Sequence, residues 1–374
     1  MSSNRRNLTF EFFTFTLRDL LLCLGIATRF FSSRQRSRWN EKHRLSAKGV
    51  QASLPEWDKR AWQQQPNSST TAKYNIPALP CFPQKIKKYY ICRMKFVEKK
   101  PIRVAILDLY EGVANQGMRC IREILNQYGE ANFLDMQWDE FDVRQKLEVP
   151  GTGYDIYISS GGPGSPVESK GSDWENIYFR WLNQVEAWNN NPGNQQKKYV
   201  FFICHSYQLI CRHYRLAEVS KRRSTAFGVF PVHLLNEGKE EAIFDGLNDP
   251  FFAVDSRDYQ VTTPHHNRLE KMGAAVLCIE KERPHVPLER AIMAIRFNAY
   301  MIGTQFHPEA DAIGMSMYLQ REDKKDSVIA AHGEAKWASM IEQLNDPDKI
   351  LWTYSHVLPN FLNQAVEHLQ TAEV

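Results

Sequence analysis

The feature that most constrains the fold is an alternation between continuous apolar runs and amphipathic segments. The runs IRVAILDLY (102–110) and KKYVFFIC (197–204) are apolar at successive positions, which is typical of strands covered on both faces of a sheet. Segments with helical spacing follow such runs, for example GMRCIREILNQYG (117–129) and WENIYFRWLNQVEAWNN (174–190). Strands that alternate with helices predict an α/β domain with a doubly wound, mostly parallel sheet.

Shorter patterns extend this domain towards the carboxyl terminus. Within 227–306, the runs AVLCIEK, RAIMAIRF and MIGTQFH predict further strands, partly antiparallel, in the same sheet. Beyond Leu319 the stretches 322–344 and 350–369 predict two helices, separated at NDPDK (345–349). Their apolar faces indicate a helical extension, 321–374, that packs on a domain of residues 94–320.

The first 93 residues differ in kind from the rest. They carry 17 Lys or Arg and 5 Asp or Glu, whereas 94–374 carry 30 and 38, so the acidic body gives no reason to expect nucleic-acid binding. Polar, proline-punctuated composition predicts that 1–93 is disordered or is not part of the native protein, with Met94 as the start. The apolar run 20–27 is too short to span a bilayer; a targeting leader is the alternative.

The pattern of the seven cysteines indicates a cellular compartment and gives no sign of a metal site. Their number is odd, their spacing is irregular, and no C-x-x-C pair occurs. This pattern favours reduced thiols in the cytoplasm over a disulfide framework, and it suggests neither a zinc site nor another cofactor.

Three loops carry the candidate chemistry. In a doubly wound sheet, functional groups lie just beyond the carboxyl ends of the strands, where 161–164, 204–208 and 305–309 are expected. Cys204 at a strand-to-helix turn is either a nucleophile activated by the helix amino terminus or a buried core cysteine. His307 and Glu309 supply a base and an orienting carboxylate, or lie at an ordinary surface turn. The glycines of SSGGPGSP (159–166) either aim amides at a ligand or form a plain connection.

The ordered set YDIYISSGGPGSP, FFICHSYQLI and MIGTQFHPEA resembles class I glutamine amidotransferase domains, with that of GMP synthase the most similar. The resemblance covers about 102–320 and implies a flavodoxin-like sheet. It also implies a triad that hydrolyses the side-chain amide of glutamine, with Cys204 as nucleophile, His307 as acid and base, and Glu309 as its orienter. By the same resemblance, oxyanion donors and substrate-binding residues map onto Gly162, the amide of His205, Gly164, Gln208, Ser256, Asp258 and Tyr259.

The sequence departs from the family at the elbow, which there reads G-x-C-x-G. Phe202 and Ser206 hold the glycine positions; Phe202 either reshapes the pocket or points into the core. Arg257 replaces a histidine and either binds a substrate carboxylate or braces a neighbouring aspartate. The His205 side chain is expected to be solvated.

The predicted function is glutamine hydrolysis, with ammonia passed to a separate acceptor synthetase, because no synthetase domain is recognisable. The predicted partners are therefore glutamine or another γ-glutamyl small molecule and that synthetase, with no nucleic acid and no membrane. The alternatives are a stand-alone γ-glutamyl hydrolase or peptidase, and a catalytically inactive binding or regulatory module.

Overall fold

The computed structural model describes residues 100–372 except 114 and 345. The predictions made for residues 1–93 therefore lie outside the described part of the chain. Nine strands form one sheet: β1 (Ile102–Asp108), β2 (Met136–Asp142), β3 (Ile156–Ser159), β4 (Tyr199–Ile203), β5 (Ala217–Leu234), β6 (Phe251–Pro264), β7 (Ala275–Glu280), β8 (Ile292–Asn298) and β9 (Met301–Thr304). The helices of the described residues are α1 (Gln116–Asn132), α2 (Asp173–Asn190), α3 (His205–Tyr214), α4 (Asn236–Lys239), α5 (His266–Met272), α6 (Ala312–Leu319), α7 (Glu322–His332), α8 (Glu334–Leu344) and α9 (Pro347–Thr371), with a 3₁₀ turn at Ala242–Phe244.

The sheet has the order β2-β1-β3-β4-β9-β8-β7-β5-β6. The first five strands are parallel and the remaining four pair antiparallel. The predicted flavodoxin-like, doubly wound α/β architecture with a helical extension is confirmed. Strand β2, which the sequence analysis did not predict, is an edge strand with exposed or half-buried side chains and lacks the continuous apolar run of a buried strand.

Two apolar layers cover the faces of the parallel sheet. On β1, Val104 and Ile106 point into one layer, and Ala105 and Leu107 into the other, as the two-residue period of a strand requires. The first layer is closed by α1 and α9, and the second by α2 and α3. The parallel strands other than β2 are therefore buried on both faces, and all five end together at one edge of the sheet.

The helical extension differs from the predicted pair of helices. The stretch 322–344 is not one helix but two, α7 and α8, because Gly333 adopts φ +83° between them. Helix α9 carries Val357, Phe361 and Leu362 into the first apolar layer, where Phe361 meets Phe201 of β4 edge to face at 5.1 Å.

Phe202 does not reshape a pocket; that interpretation of the elbow is wrong. Its side chain is fully buried in the second layer and packs edge to face on Phe297 at 5.8 Å. Phe202 is paired across the sheet with Gly303, where a Cβ would lie 3.1 Å from the Phe202 Cβ and 3.0 Å from Tyr207. The missing side chain of Gly303 provides the room that Phe202 and Tyr207 occupy.

Candidate active site

Cys204 lies at the sharp turn between β4 and α3. Its backbone has φ 47° and ψ −95°, a strained conformation for a residue with a Cβ. The turn is held by the Cys204 N–H, which donates to Thr304 O at 2.7 Å, and by Ser206 Oγ, which accepts from the Ile203 N–H at 2.8 Å. Ser206 Oγ also lies 2.9 Å from Ser159 O. The serine therefore ties the elbow to β3 and β4 where the family has glycine.

His307 and Glu309 follow β9, the strand next to β4. His307 Nδ1 lies 2.9 Å from Glu309 Oε1, and Glu309 is 1% exposed. The His307 N–H donates to Val254 O of β6 at 2.9 Å, which fixes His307 against that strand. Burial by itself lowers the pKa of His307, but the neighbouring Cys204 thiolate and Glu309 carboxylate outweigh it and hold this pKa well above its usual value. The imidazolium form is therefore favoured beside the sulfur.

Two further groups lie close to the Cys204 sulfur. Ser256 O is 3.8 Å and Gln305 Nε2 is 3.7 Å from Sγ. Gln208 Nε2 donates to Gln305 Oε1 at 3.1 Å and to Tyr259 O at 3.2 Å. Sequence reasoning missed Gln305, although its position two residues before His307 places both on one face of an extended chain.

The glycine loop 161–164 follows β3. A Cβ on Gly162 would lie 2.3 Å from Leu109 O, so only glycine permits this approach to the end of β1. A Cβ on Gly161 would lie 2.9 Å from His307 Cε1, which shows that the loop runs beside the imidazole. Gly164 has φ +87°, a conformation that favours glycine, and is exposed. The loop thus lies against the His307–Glu309 pair on one side and the end of β1 on the other.

The predicted substrate-gripping segment lies on β6. Asp258 is exposed and accepts a hydrogen bond from Thr225 Oγ1, while Ser256 and Tyr259 are half-buried. Arg257 is buried and braces Asp255, with Nε 2.8 Å from Asp255 Oδ1 and Nη2 3.5 Å from Glu280 Oε1. This is the bracing role that the sequence analysis left open, rather than a role facing the substrate.

The predicted solvation of the His205 side chain is wrong. His205 is 2% exposed, and its Nε2 lies 2.8 Å from Arg144 Nη2. Burial, together with the positive charges of Arg144 and Arg212, lowers the pKa of His205 to about 3, so this ring is neutral.

Tyr110 is a second site residue that sequence reasoning missed. It lies two residues beyond β1, at the edge where the strands end, and this position is the signal that could have revealed it. Burial and the negative charges of Glu309 and Cys204 raise its pKa well above the ordinary value, so its hydroxyl stays neutral. A Cβ on Gly117 would lie 2.6 Å from the Tyr110 hydroxyl and 3.1 Å from Glu309 Oε1. A side chain at Gly117 would therefore displace the ends of these two side chains, and glycine leaves them in place.

The described residues include neither a candidate metal site nor a candidate membrane-spanning helix. No group of three or more His, Cys, Asp or Glu side chains there is arranged to hold a metal ion. No helix among the same residues is long and apolar enough to cross a bilayer.

The fold and site define an α/β domain with a cysteine elbow and a histidine–glutamate pair on the next strand. A family model for glutamine amidotransferase class-I matches residues 106–320, more than half of the chain, and the protein belongs to that family. A search of curated protein sequences found no significant match.

Solved structures with a similar fold include other glutamine amidotransferases. One from Thermotoga maritima is 17% identical with a TM-score of 0.52, covering 72% of this chain and 99% of its own. One from Methylobacillus flagellatus is 14% identical with a TM-score of 0.46, covering 73% and 95%. The glutaminase domain of Trypanosoma brucei CTPS with bound acivicin is 14% identical with a TM-score of 0.43, covering 71% and 94%. At 17% identity, the similarity to the Thermotoga maritima protein concerns the fold alone. The two structures with TM-scores below 0.5 support no conclusion about this chain.

Proposed function

We propose that the protein hydrolyses the side-chain amide of glutamine with Cys204, His307 and Glu309 as its triad. The observation that carries this proposal is the strained Cys204 elbow next to a hydrogen-bonded His307–Glu309 pair. A thiolate paired with an imidazolium is nucleophilic at neutral pH without a metal or cofactor. Family membership supports the same reaction class.

The reaction proceeds in two balanced steps. The Cys204 sulfur forms a bond to the amide carbon, and His307 gives its proton to the leaving nitrogen, which departs as ammonia. The resulting glutamyl thioester is attacked by water. His307 takes a proton from this water, and the Cys204 thiolate leaves to give glutamate. Glu309 acts through His307, whose Nδ1 it orients.

The remaining roles concern binding and transition-state charge. The backbone amides of Gly162 and His205 are the proposed oxyanion donors. Gly164 and Gln208 hold the substrate's glutamyl chain, and Ser256, Asp258 and Tyr259 on β6 bind its α-amino and carboxylate groups. The position of Ser256 O near the Cys204 sulfur, at 3.8 Å, supports the placement of β6 over the site.

Ammonia then passes to a separate acceptor synthetase, in the cytoplasm. The four cysteines described as free, Cys120, Cys204, Cys211 and Cys278, are consistent with a reducing compartment. The alternative of a γ-glutamyl hydrolase drew on the altered elbow and on the lack of a recognisable synthetase domain. The burial of Phe202 in the core removes the first of these two grounds.

The test is a glutamate-release assay on glutamine and on a panel of γ-glutamyl compounds. We expect glutamine to be hydrolysed by the wild type and not by Cys204→Ser, and acivicin to label Cys204. The matched control is Cys211→Ser, a buried cysteine two turns along α3 from the elbow, which should retain activity. Activity only on other γ-glutamyl compounds would favour the stand-alone hydrolase. An unreactive Cys204 with no activity would favour the inactive binding module.

A further inference from the structure

Arg144, in the turn after β2, connects groups from three other segments of the chain. Its Nη2 lies 2.8 Å from His205 Nε2 at the start of α3, and its Nη1 lies 3.4 Å from Glu111 Oε2 beyond β1. Its guanidinium carbon lies 4.7 Å from the ring centre of Trp174 at the start of α2. The Arg144 side chain is only 7% exposed.

The contact with Arg144 fixes the ring of His205. A guanidinium can only donate hydrogen bonds, so His205 Nε2 must be the acceptor and its Nδ1 carries the proton. Trp174, whose ring centre is 6.4 Å from that of His205, packs near the imidazole. Because His205 is the first residue of α3, a held ring restrains the start of the helix and, with it, the backbone N–H of His205.

A second arginine ties the same helix to the glycine loop. Arg212, two turns further along α3, donates to Pro166 O at the end of that loop and pairs with Glu175 of α2. The two proposed oxyanion donors are the backbone amides of Gly162 in the loop and His205 in α3. The side chains of Arg144 and Arg212 thus hold the segments that carry these two amides.

Stability alone does not account for Arg144. Its Nε is buried and has no hydrogen-bond partner among the described residues. The carboxylate that pairs with it, Glu111, is 59% exposed, so this pair is screened by solvent. A buried guanidinium whose paired carboxylate is exposed is costly even with a neutral imidazole and an aromatic ring beside it, and an apolar side chain in its place would often stabilise a fold more. The arginine therefore points to a role in the site.

We propose that Arg144 is a positioning residue of the oxyanion hole, which holds His205 so that its backbone N–H faces the oxygen of the acyl group attacked by Cys204. This inference rests on the proposed function. The guanidinium also places a fixed positive charge behind the donor, where it favours the negative charge that develops on that oxygen.

The test compares hydrolysis with simple alkylation in Arg144→Met and His205→Phe, which keep side-chain bulk and remove either end of the contact. We expect kcat for glutamine to fall roughly 10- to 100-fold in each variant, with KM changed by less than about twofold. The reason is that a misplaced oxyanion donor stabilises the transition state less but leaves substrate binding unchanged. The double variant should lose no more than either single one. Alkylation of Cys204 by iodoacetamide should keep its wild-type rate, since displacement at a saturated carbon forms no oxyanion.

Two further variants sharpen the experiment. Arg144→Lys keeps a charge and a donor and should recover part of the lost kcat. Arg122→Met removes an arginine from an exposed ion pair with Glu140 and should behave as wild type. Equal kcat in wild type and Arg144→Met would overturn this inference and leave the proposed function standing. Parallel losses of hydrolysis, alkylation and melting temperature would also overturn it, because they would show that Arg144 supports the fold in general. A wild type inactive on every γ-glutamyl compound would overturn the proposed function, and this inference with it.

Discussion

Gly162→Ala tests the geometry of the glycine loop, because it moves the loop and leaves the side chains of the proposed triad unchanged. A Cβ at Gly162 would lie 2.3 Å from Leu109 O and 3.0 Å from Leu109 C, both backbone atoms that cannot rotate away. Ordinary contacts between such atoms are about 3.5 Å, so the loop must move by about 1 Å. Overpacking of this kind costs about 1–3 kcal/mol of unfolding free energy. A displacement of about 1 Å at a catalytic donor costs about 100-fold in rate.

The assay for Gly162→Ala is glutamate release under saturating glutamine, paired with urea unfolding. The matched control is Gly151→Ala, because a Cβ on Gly151 would meet nothing within 4 Å and its φ is ordinary. We expect the control to match wild type in both measurements. A Gly162→Ala variant with wild-type kcat would refute the argument that the approach to Leu109 sets the position of an oxyanion donor.

Three other predictions follow from the site and the chain. His307→Ala should lose several orders of magnitude in kcat and Glu309→Gln less, because a base matters more than its orienter; equal rates in wild type and His307→Ala would remove the triad. His205→Phe should resist acid better than wild type in a pH titration of circular dichroism. The folded-state pKa of His205 is lowered to about 3, so the unfolded chain binds the extra proton and wild-type stability falls as pH drops from about 6.5 towards 3; identical acid transitions would contradict this. A chain that begins at Met94 should match the full chain in melting temperature and activity, and insolubility of the shorter chain would show that the first 93 residues are needed.

The buried parallel strands and the positions of Cys204 and His307 at their carboxyl edge were accessible from sequence. Cys204 and His307 each end an apolar run, and the sequence periodicity that predicts a buried strand also predicts where it ends. Residues that act from the turn after β2 were not accessible. Strand β2 is polar and half-exposed because it is an edge strand, so no apolar run marked it and the position of Arg144 went unnoticed.

The role of Phe202 depended on information that sequence patterns lack. Its fit requires Gly303 on the adjacent strand, and the two residues are 101 positions apart. Only the order and register of the strands bring the large residue opposite the small one. The elbow motif alone therefore left a reshaped pocket and a core position both open, whereas the packing shows a compensating pair.

Helix α9 contacts elements that are far from it in sequence, and this has a consequence for folding during synthesis. Tyr128 of α1 bonds to Asn363 of α9 across 235 positions, and Phe361 and Leu362 complete the apolar layer under β4. During synthesis the nine strands of the described residues leave the ribosome before α9 does, so the growing chain presents an uncovered apolar sheet face to its surroundings. Such a face favours association with other chains. Nascent chains of this protein should therefore depend on chaperones until α9 has been translated. A premature stop codon before α9 should cause aggregation even though every residue of the proposed triad is present.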